Sequence, residues 1–201
     1  MRLLLASRSP RRRELLEQAG IDHEVIDSGV DDSQLRPGVV AADQWVAALA
    51  YLKAAAAASR RAENVPSGDT RPVEIVLGAD TVVVDRDEII GQPRDADDAR
   101  RIIRRLSNGS HSVLTGVALV DPAGGRRDIF TDRAEVVVGP IGDQCIDDYV
   151  RSGQWRGKAG AYNLAERLAA GWPIRFEGDA GTIMGLPMHR LVRRIEAFNR
   201  S

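Results

Sequence analysis

Apolar and polar positions along this chain alternate in the manner of a protein that mixes strands with helices. The first apolar run, Leu3–Ala6, predicts a short buried strand. Ser9 and Pro10 follow as an N-cap and a first-turn residue, so we expect a helix from there to about Ala19. A second strand is expected over His23–Asp27, ahead of an acidic loop.

Further helices are indicated by composition and periodicity. The alanine-rich segment Ala41–Ala62 predicts a long helix, and the segment Val65–Arg71 after it predicts an exposed loop. Shorter helices are expected over Ala96–Leu106, Asp143–Ser152 and Pro187–Asn199. Between the last two lies a glycine-rich region, to which we assign no element.

The centre of the chain predicts a sheet. Two β-branched runs, Ile75–Leu77 and Val82–Val84, flank a polar interruption that contains Asp80. We expect a bend or bulge there, which would hold Asp80 at a strand end. Ser112–Val120 is predicted to pair with Ile129–Val138 across a glycine-containing turn, and such long antiparallel strands predict an α/β fold with a mixed sheet.

Length and composition favour one soluble globular domain over residues 1–201. Hydrophobic residues make up 43% of the chain and charged residues 28%, an ordinary balance for such a protein. The formal net charge of -1 gives no general basic field, and an aromatic content of 4% offers little for stacking bases, so a nucleic-acid partner is not expected. No segment approaches the roughly 20 apolar residues that cross a membrane, so no membrane partner is expected either.

The single cysteine, Cys145, bears on the compartment. It cannot pair within the chain, and it sits among helix-forming residues, where we expect a small buried thiol. The apolar run at the N-terminus is too short for the core of a signal peptide. Both features lead us to expect a cytoplasmic protein, and the sequence leaves a homodimer open.

A basic cluster, Ser7–Arg13, stands where the first strand hands over to a helix N-terminus. That helix end is already positive through its free N–H groups, and arginine adds bidentate contacts to phosphate oxygens. A solvated basic turn is the alternative. Adjacent cations at a positive helix end are unfavourable without an anion, so we favour an anion site.

Two further groups supply candidate chemistry. A carboxylate at Asp80 would position a water or hold a metal ion, and Asp31 and Asp32 could be partners for that metal, although adjacent aspartates often mean a solvated loop. In the segment Gly157–Tyr162, small residues would let the backbone approach a ligand while Lys158 reaches phosphate; a glycine-rich surface turn is the alternative.

The two lysines of the chain are further candidate site residues. Among the 28 basic residues only Lys53 and Lys158 are lysines, so the chain is strongly biased toward arginine and the two lysines that remain are candidate functional residues. His23, His111 and His189 have no metal-ligand spacing, and we expect hydrogen-bonded structural or surface histidines. The phosphate-binding loop of kinases, the nucleophile elbow of esterases and the dinucleotide fingerprint are not in the sequence.

Five motifs, in order and at suitable spacing, resemble those of the Maf family: Leu5-Ala6-Ser7-Arg8-Ser9-Pro10-Arg11-Arg12, Leu77-Gly78-Ala79-Asp80-Thr81, His111-Ser112-Val113, Lys158-Ala159-Gly160-Ala161-Tyr162 and Met184-Gly185-Leu186-Pro187. The resemblance runs nearly end to end. It implies a fold similar to inosine-triphosphate pyrophosphatases, with a bent mixed sheet, flanking helices and a central cleft. It also implies hydrolysis of nucleoside triphosphates to the monophosphate and pyrophosphate with a divalent cation of the Mg or Mn type.

The resemblance assigns roles residue by residue. It makes Asp80 the catalytic proton acceptor and implies a metal held by Asp80 and Asp32, the latter standing where the family has Glu. The substrate-binding set that it implies is Ser7, Arg11, Arg12, Lys53, Thr81 and Lys158. In the branch that acts on thymidine and uridine triphosphates, Arg11 and Thr81 match two of the three specificity positions.

The sequence departs from the family pattern at two places. Gln92 replaces a family lysine, and Ala165 replaces the glutamine that is the third specificity position. Glu166, if shifted by one residue, would imitate the branch that acts on 7-methylguanosine triphosphate. We therefore expect activity on dTTP and UTP with a broadened base range. A non-catalytic nucleotide-binding regulator of cell division and an RNA-binding module are the alternatives.

Overall fold

One mixed sheet organises the part of the chain that the computed structural model describes, residues 2–32, 35–63, 75–122 and 125–200. Its strands are β1 Leu3–Leu5, β2 His23–Val25, β3 Ile75–Asp85, β4 Glu88–Ile90, β5 Gly109–Val120, β6 Arg127–Val138 and β7 Ile174–Glu177. Their spatial order is β2-β1-β3-β5-β6-β7, and β4 pairs with β3. β1 is parallel to β2 and β3, whereas the remaining pairs are antiparallel, so the predicted mixed α/β sheet is confirmed.

Helices cover both faces of this sheet. In the described residues they are α1 Pro10–Gln18, α2 Ala42–Glu63, α3 Ala96–Leu106, α4 Asp143–Ser152, α5 Leu164–Ala169, α6 Ala180–Met184 and α7 Met188–Arg200. The alanine-rich stripe of α2 packs on one face, against Val76 and Ala118. On the other face, α1 and α7 bury Leu16 and Leu191 against Leu77. A third apolar cluster joins α3 and α4 to the far half of β3, β5 and β6.

The longer predicted elements agree with the structure to within a few residues. The glycine-rich region to which no element was assigned contains α5, α6, β7 and a 3₁₀ turn at Ala159–Ala161. Each of these elements has six residues or fewer, which is too short for a periodic pattern of apolar positions to be recognised. The expected loop at Val65–Arg71 lies outside the described residues.

The expected bend or bulge, which would have held Asp80 at a strand end, is wrong. β3 is continuous, and its register against β5 is unbroken from Val76 to Val84, so Asp80 lies in mid-strand opposite Gly116. The polar residues do not interrupt the strand because their side chains find partners on the two faces of the sheet. What changes is the other edge of β3, where β1 pairs with residues 75–77 and β4 with residues 83–85. In the described chain, no strand pairs with residues 78–82 on that edge.

Two strand glycines bring α2 unusually close to the sheet. A Cβ on Gly78 would lie 2.2 Å from the carbonyl oxygen of Ala50, and one on Gly116 would lie 2.3 Å from that of Val46. No side chain fits at either position, since real Cβ atoms do not approach that closely. The backbone of α2 therefore rests directly on the strands beside Asp80.

Cys145 is exposed on α4, so the expectation of a buried thiol is wrong. The helix buries Ile146, Tyr149 and Val150, and the position before this stripe faces outward. None of the described helices combines the length and the apolar character needed to cross a membrane.

Candidate active site

A cleft of about 1130 Å³ opens at the edge of β3 where β1 ends and β4 has not yet begun. Parallel strands direct the loops at their carboxyl ends to one side, and the loops after β1 and β2 border this opening. All the site residues predicted from the sequence line the cleft: Ser7, Arg11, Arg12, Asp32, Lys53, Asp80, Thr81 and Lys158.

Lys53 on α2 lies between two carboxylates. Its ammonium nitrogen is 2.6 Å from Oδ1 of Asp80 and 2.6 Å from Oδ2 of Asp32. Asp80 is 9% exposed. Burial raises the pKa of the Asp80 carboxyl above its ordinary value, while the Lys53 ammonium opposes this rise by favouring the charged form. The site therefore holds a buried carboxylate next to a single compact cation.

The donor set for a divalent cation consists of Asp80 and Asp32. Both carboxylates converge on one point, now taken by the Lys53 ammonium. Among the described residues no group of three or more His, Cys, Asp or Glu could hold a metal by itself. Mg²⁺ commonly uses one or two protein carboxylates and completes its shell with other oxygen ligands, so these two carboxylates fit such an ion.

Arg12 on α1 is held by three hydrogen bonds. Its Nη1 donates to Oγ of Ser7 over 3.0 Å, its Nη2 to Oγ1 of Thr81 over 3.1 Å, and its Nε to the carbonyl of Gly185 over 3.0 Å. Gly185 has φ 107°, and a Cβ there would lie 3.1 Å from Nε of Arg12, so this approach requires glycine. Burial lowers the pKa of Arg12, and Asp80 opposes that shift; the guanidinium remains charged.

Arg11, the neighbour of Arg12, is half-buried and differently placed. It makes no hydrogen bond or ion pair with any residue in the described part of the chain. Burial lowers the pKa of its guanidinium, and the charge of Glu166 is the largest opposing influence. A desolvated cation with its donors unused is what an anion-binding site requires.

Lys158 lines the cleft from the position just before the 3₁₀ turn at Ala159–Ala161. It is 8% exposed, and its ammonium forms an ion pair with Glu166. The local backbone is set by Gly160 and Ala161, which both have positive φ, of 66° and 64°. Such a conformation is uncommon for alanine and is held here by the hydrogen bond of 2.8 Å from Tyr149 to the Ala161 carbonyl.

His111, part of the third motif, contacts Tyr162 at the end of the segment that contains Lys158. Its Nε2 lies 2.8 Å from the hydroxyl of Tyr162, and the ring is 3% exposed. Burial lowers the pKa of His111 to about 4, so the ring is neutral at physiological pH. His111 is thus a hydrogen-bonded structural histidine, as expected.

The motifs and their positions in this cleft agree with a family comparison. Residues 2–198 match the family model described as Maf-like protein. The chain belongs to the Maf family. A protein named dTTP/UTP pyrophosphatase from Geobacillus sp. (strain WCH70) is 38% identical over 194 residues, 96% of each chain. One of the same name from Salinibacter ruber is 40% identical over 195 residues, 97% of this chain and 90% of its own.

Solved structures show more distant likeness. A nucleoside-triphosphatase / dITP/XTP pyrophosphatase from Mycobacterium abscessus is 15% identical with a TM-score of 0.38, covering 70% of this chain and 76% of its own. The Ham1 protein of Staphylococcus aureus is 15% identical with a TM-score of 0.42, covering 69% and 72%. Neither value carries information about the site.

Both departures from the Maf pattern lie in the cleft. Gln92 follows β4, and Ala165 is in the first turn of α5. The carboxylate of Glu166, next to Ala165, forms the ion pair with Lys158. The backbone N–H of Glu166 donates to Oδ1 of Asn163, the N-cap residue of α5, over 3.0 Å. The pairing of Lys158 with Glu166 was not foreseen from the sequence, although a spacing of eight residues around a glycine turn permits it.

Sequence reasoning also missed the two buried threonines whose hydrogen bonds support Thr81 on the side away from the cleft. Thr115 and Thr182 are both fully buried, and they join β5 to α6 beneath Arg12. A signal was present, because Thr115 is a hydroxyl residue inside the apolar stretch of a strand that is otherwise buried.

Proposed function

We propose that this protein is a nucleoside triphosphate pyrophosphatase, which adds water to the α-phosphorus and releases a nucleoside monophosphate and pyrophosphate. The observation that carries the proposal is the buried Asp80 carboxylate, in contact with Lys53, inside a cleft that also presents Arg11, Arg12 and Lys158. The full-length relatives named dTTP/UTP pyrophosphatase support it. No observation favours the non-catalytic regulator.

The cations bind the triphosphate in this proposal. Arg11 has unused donors, Arg12 retains N–H groups beyond its three hydrogen bonds, and Lys158 can exchange Glu166 for a phosphate oxygen. Charge-assisted hydrogen bonds from fixed donors offset the negative charge that grows on the phosphate oxygens during the reaction. Because α1 and the sheet hold Arg12, this donor is oriented before substrate arrives.

Asp80 is the proton acceptor. Its carboxyl has a pKa raised by burial, which makes the carboxylate a stronger base than an exposed aspartate, and the Lys53 ammonium opposes that rise by favouring the charged form. Asp80 thus takes a proton from the attacking water at its carboxylate oxygen. Lys53, held 2.6 Å away, orients that oxygen and then compensates the charge of the phosphate group.

A divalent cation of the Mg or Mn type belongs to the proposal. Asp80 and Asp32 would hold it, and the substrate would complete its ligands. When bound, such an ion polarises phosphate oxygens and lowers the pKa of water. The other proposed features are a cytoplasmic location, where triphosphate substrates are available, and a preference for dTTP and UTP with other bases also accepted.

The test is product analysis in ¹⁸O-labelled water with a panel of ribo- and deoxyribonucleoside triphosphates and Mg²⁺. We expect equal amounts of monophosphate and pyrophosphate, with the label in the monophosphate. Label in pyrophosphate would place the attack on the β-phosphorus, and release of orthophosphate would mean a different phosphatase. If triphosphates bind but no product forms, the alternative of a non-catalytic nucleotide-binding regulator is supported instead.

A further inference from the structure

Thr115 on β5 lies beneath the cleft and is connected to it by one cleft-lining residue, Thr81. It is opposite Thr81 in the sheet register, and the two hydroxyl oxygens are 2.9 Å apart. Thr115 is 0% exposed, so it meets no substrate itself. Any effect it has on the cleft must pass through Thr81.

The direction of this hydrogen bond is fixed by a neighbour. Oγ1 of Thr115 also lies 2.7 Å from the carbonyl oxygen of Thr182, which can only accept. Thr115 has a single hydroxyl hydrogen, and that hydrogen goes to Thr182. Between the two threonine hydroxyls, Thr81 therefore donates and Thr115 accepts.

Thr81 consequently has no hydrogen left for the cleft. Its free lone pairs accept from Nη2 of Arg12, 3.1 Å away, and it cannot donate to a phosphate oxygen. The chain of donors runs in one direction, from the guanidinium through Thr81 to Thr115. Arg12 keeps two of its five N–H bonds without a partner in the described residues.

We propose that Thr115 is a positioning residue for Arg12. By taking the hydrogen of Thr81, it makes Thr81 an obligatory acceptor that fixes the guanidinium plane and turns the two spare N–H groups toward the phosphates. The inference rests on the proposed function, because it treats Arg12 as a phosphate ligand. Without the Thr115 hydroxyl, the hydrogen of Thr81 rotates freely and competes with Arg12 for the same space.

The experiment is a double-mutant cycle between Thr115→Val and Arg12→Ala, read out as the dissociation constant of inorganic tripolyphosphate and as KM and kcat. Valine keeps the shape and removes the hydroxyl. We expect Thr115→Val to weaken tripolyphosphate binding and to raise KM by about tenfold, the lower end for a hydrogen bond to a charged group. In the Arg12→Ala background the same change should have almost no effect.

Matched variants separate positioning from folding. Thr115→Ser keeps the hydroxyl and should restore binding to within about twofold. Val117→Ala, at a buried position of the same strand and face, should lower stability without changing KM. If Thr115→Val does not fold, Thr115→Cys gives the same cycle with a much weaker donor in place of the hydroxyl.

Two results would overturn the proposal. One is an effect of Thr115→Val that is as large without Arg12 as with it, and the other is no loss of binding in Thr115→Val. Both results are read in the dissociation constant of tripolyphosphate, which requires no turnover, so they are independent of the proposed function. A coupled cycle in an enzyme that releases no pyrophosphate would instead reject the function and keep the role of Thr115.

Discussion

Oδ1 of Asp80 lies 2.6 Å from the ammonium of Lys53, so the most buried carboxylate of the cleft and the lysine of the long helix form one unit. The two residues come from opposite sides of the contact between α2 and the sheet. Burial and the ammonium act on the carboxylate in opposite directions. Changes at either residue should therefore alter the charge and the basicity of this unit.

Asp80→Asn keeps the size of the side chain and removes its basicity. We expect turnover of triphosphates to fall by about a hundredfold or more, because the loss of a general base costs 10²–10⁴-fold. Nucleotide binding should remain. Steady-state kinetics and calorimetry measure the two effects, with Asp147→Asn, a partly exposed ion-pair partner of Arg100, as control. Near-normal turnover would remove Asp80 from the chemistry.

Lys53→Arg retains the charge but replaces a compact ammonium with a planar group. The gap between Asp32 and Asp80 admits one nitrogen at 2.6 Å from each, so arginine must displace one carboxylate. We expect kcat to fall by about 10- to 100-fold, since a displacement near 1 Å has effects of this order. An arginine variant as active as the wild type would show that charge alone matters.

Arg11→Ala and Lys158→Ala should each weaken binding of a non-hydrolysable triphosphate by about 1.5–3 kcal/mol, the range for hydrogen bonds to charged groups. Arg13→Ala is the matched control, because Arg13 is exposed on the same helix and does not line the cleft. Titration calorimetry gives the affinities. A residue whose removal leaves affinity unchanged lies outside the phosphate site.

Ala165→Gln should narrow the base range. A pocket that lacks a polar partner discriminates modestly, whereas one that hydrogen-bonds the substrate discriminates strongly. We expect the wild type to accept several bases and the variant to raise the kcat/KM ratio of UTP to GTP by about tenfold or more. Ala169→Gln, later on α5, should leave the ratio unchanged. A wild type that already rejects purine triphosphates by orders of magnitude contradicts this expectation.

His111 should make stability depend on pH. Its pKa is about 4 in the folded protein and 6.5 ordinarily, so between these values the unfolded chain binds a proton that the folded one does not. Its contribution is complete above pH 6.5, and lowering the pH to 5 should reduce the free energy of unfolding by about 2 kcal/mol. Urea denaturation at a series of pH values should show a flatter dependence for His111→Gln than for the wild type, and an equally steep dependence in the variant would contradict this assignment.

Sequence patterns predicted the elements whose signals are local. The Ser9-Pro10 start of α1 and the alanines of α2 are of this kind, and the charged site residues were found through motifs. The continuity of β3 depends on distant partners, namely Lys53 on one face and Arg12 on the other, so the polar run looked like a break. The hydrogen-bond direction at Thr115 likewise depends on a carbonyl 67 residues away.

Because Gly78 and Gly116 carry no side chains, the distance between Lys53 on α2 and Asp80 on β3 is set by the contact of the two backbones. Where side chains separate a helix from a sheet, exchanges of one for another can shift the helix by small steps. Here α2 rests on main-chain atoms, and that adjustment is not available. Divergence in substrate range would then be confined to the wall of the cleft that the short elements after Gly153 form, while Lys53 and Asp80 stay in register.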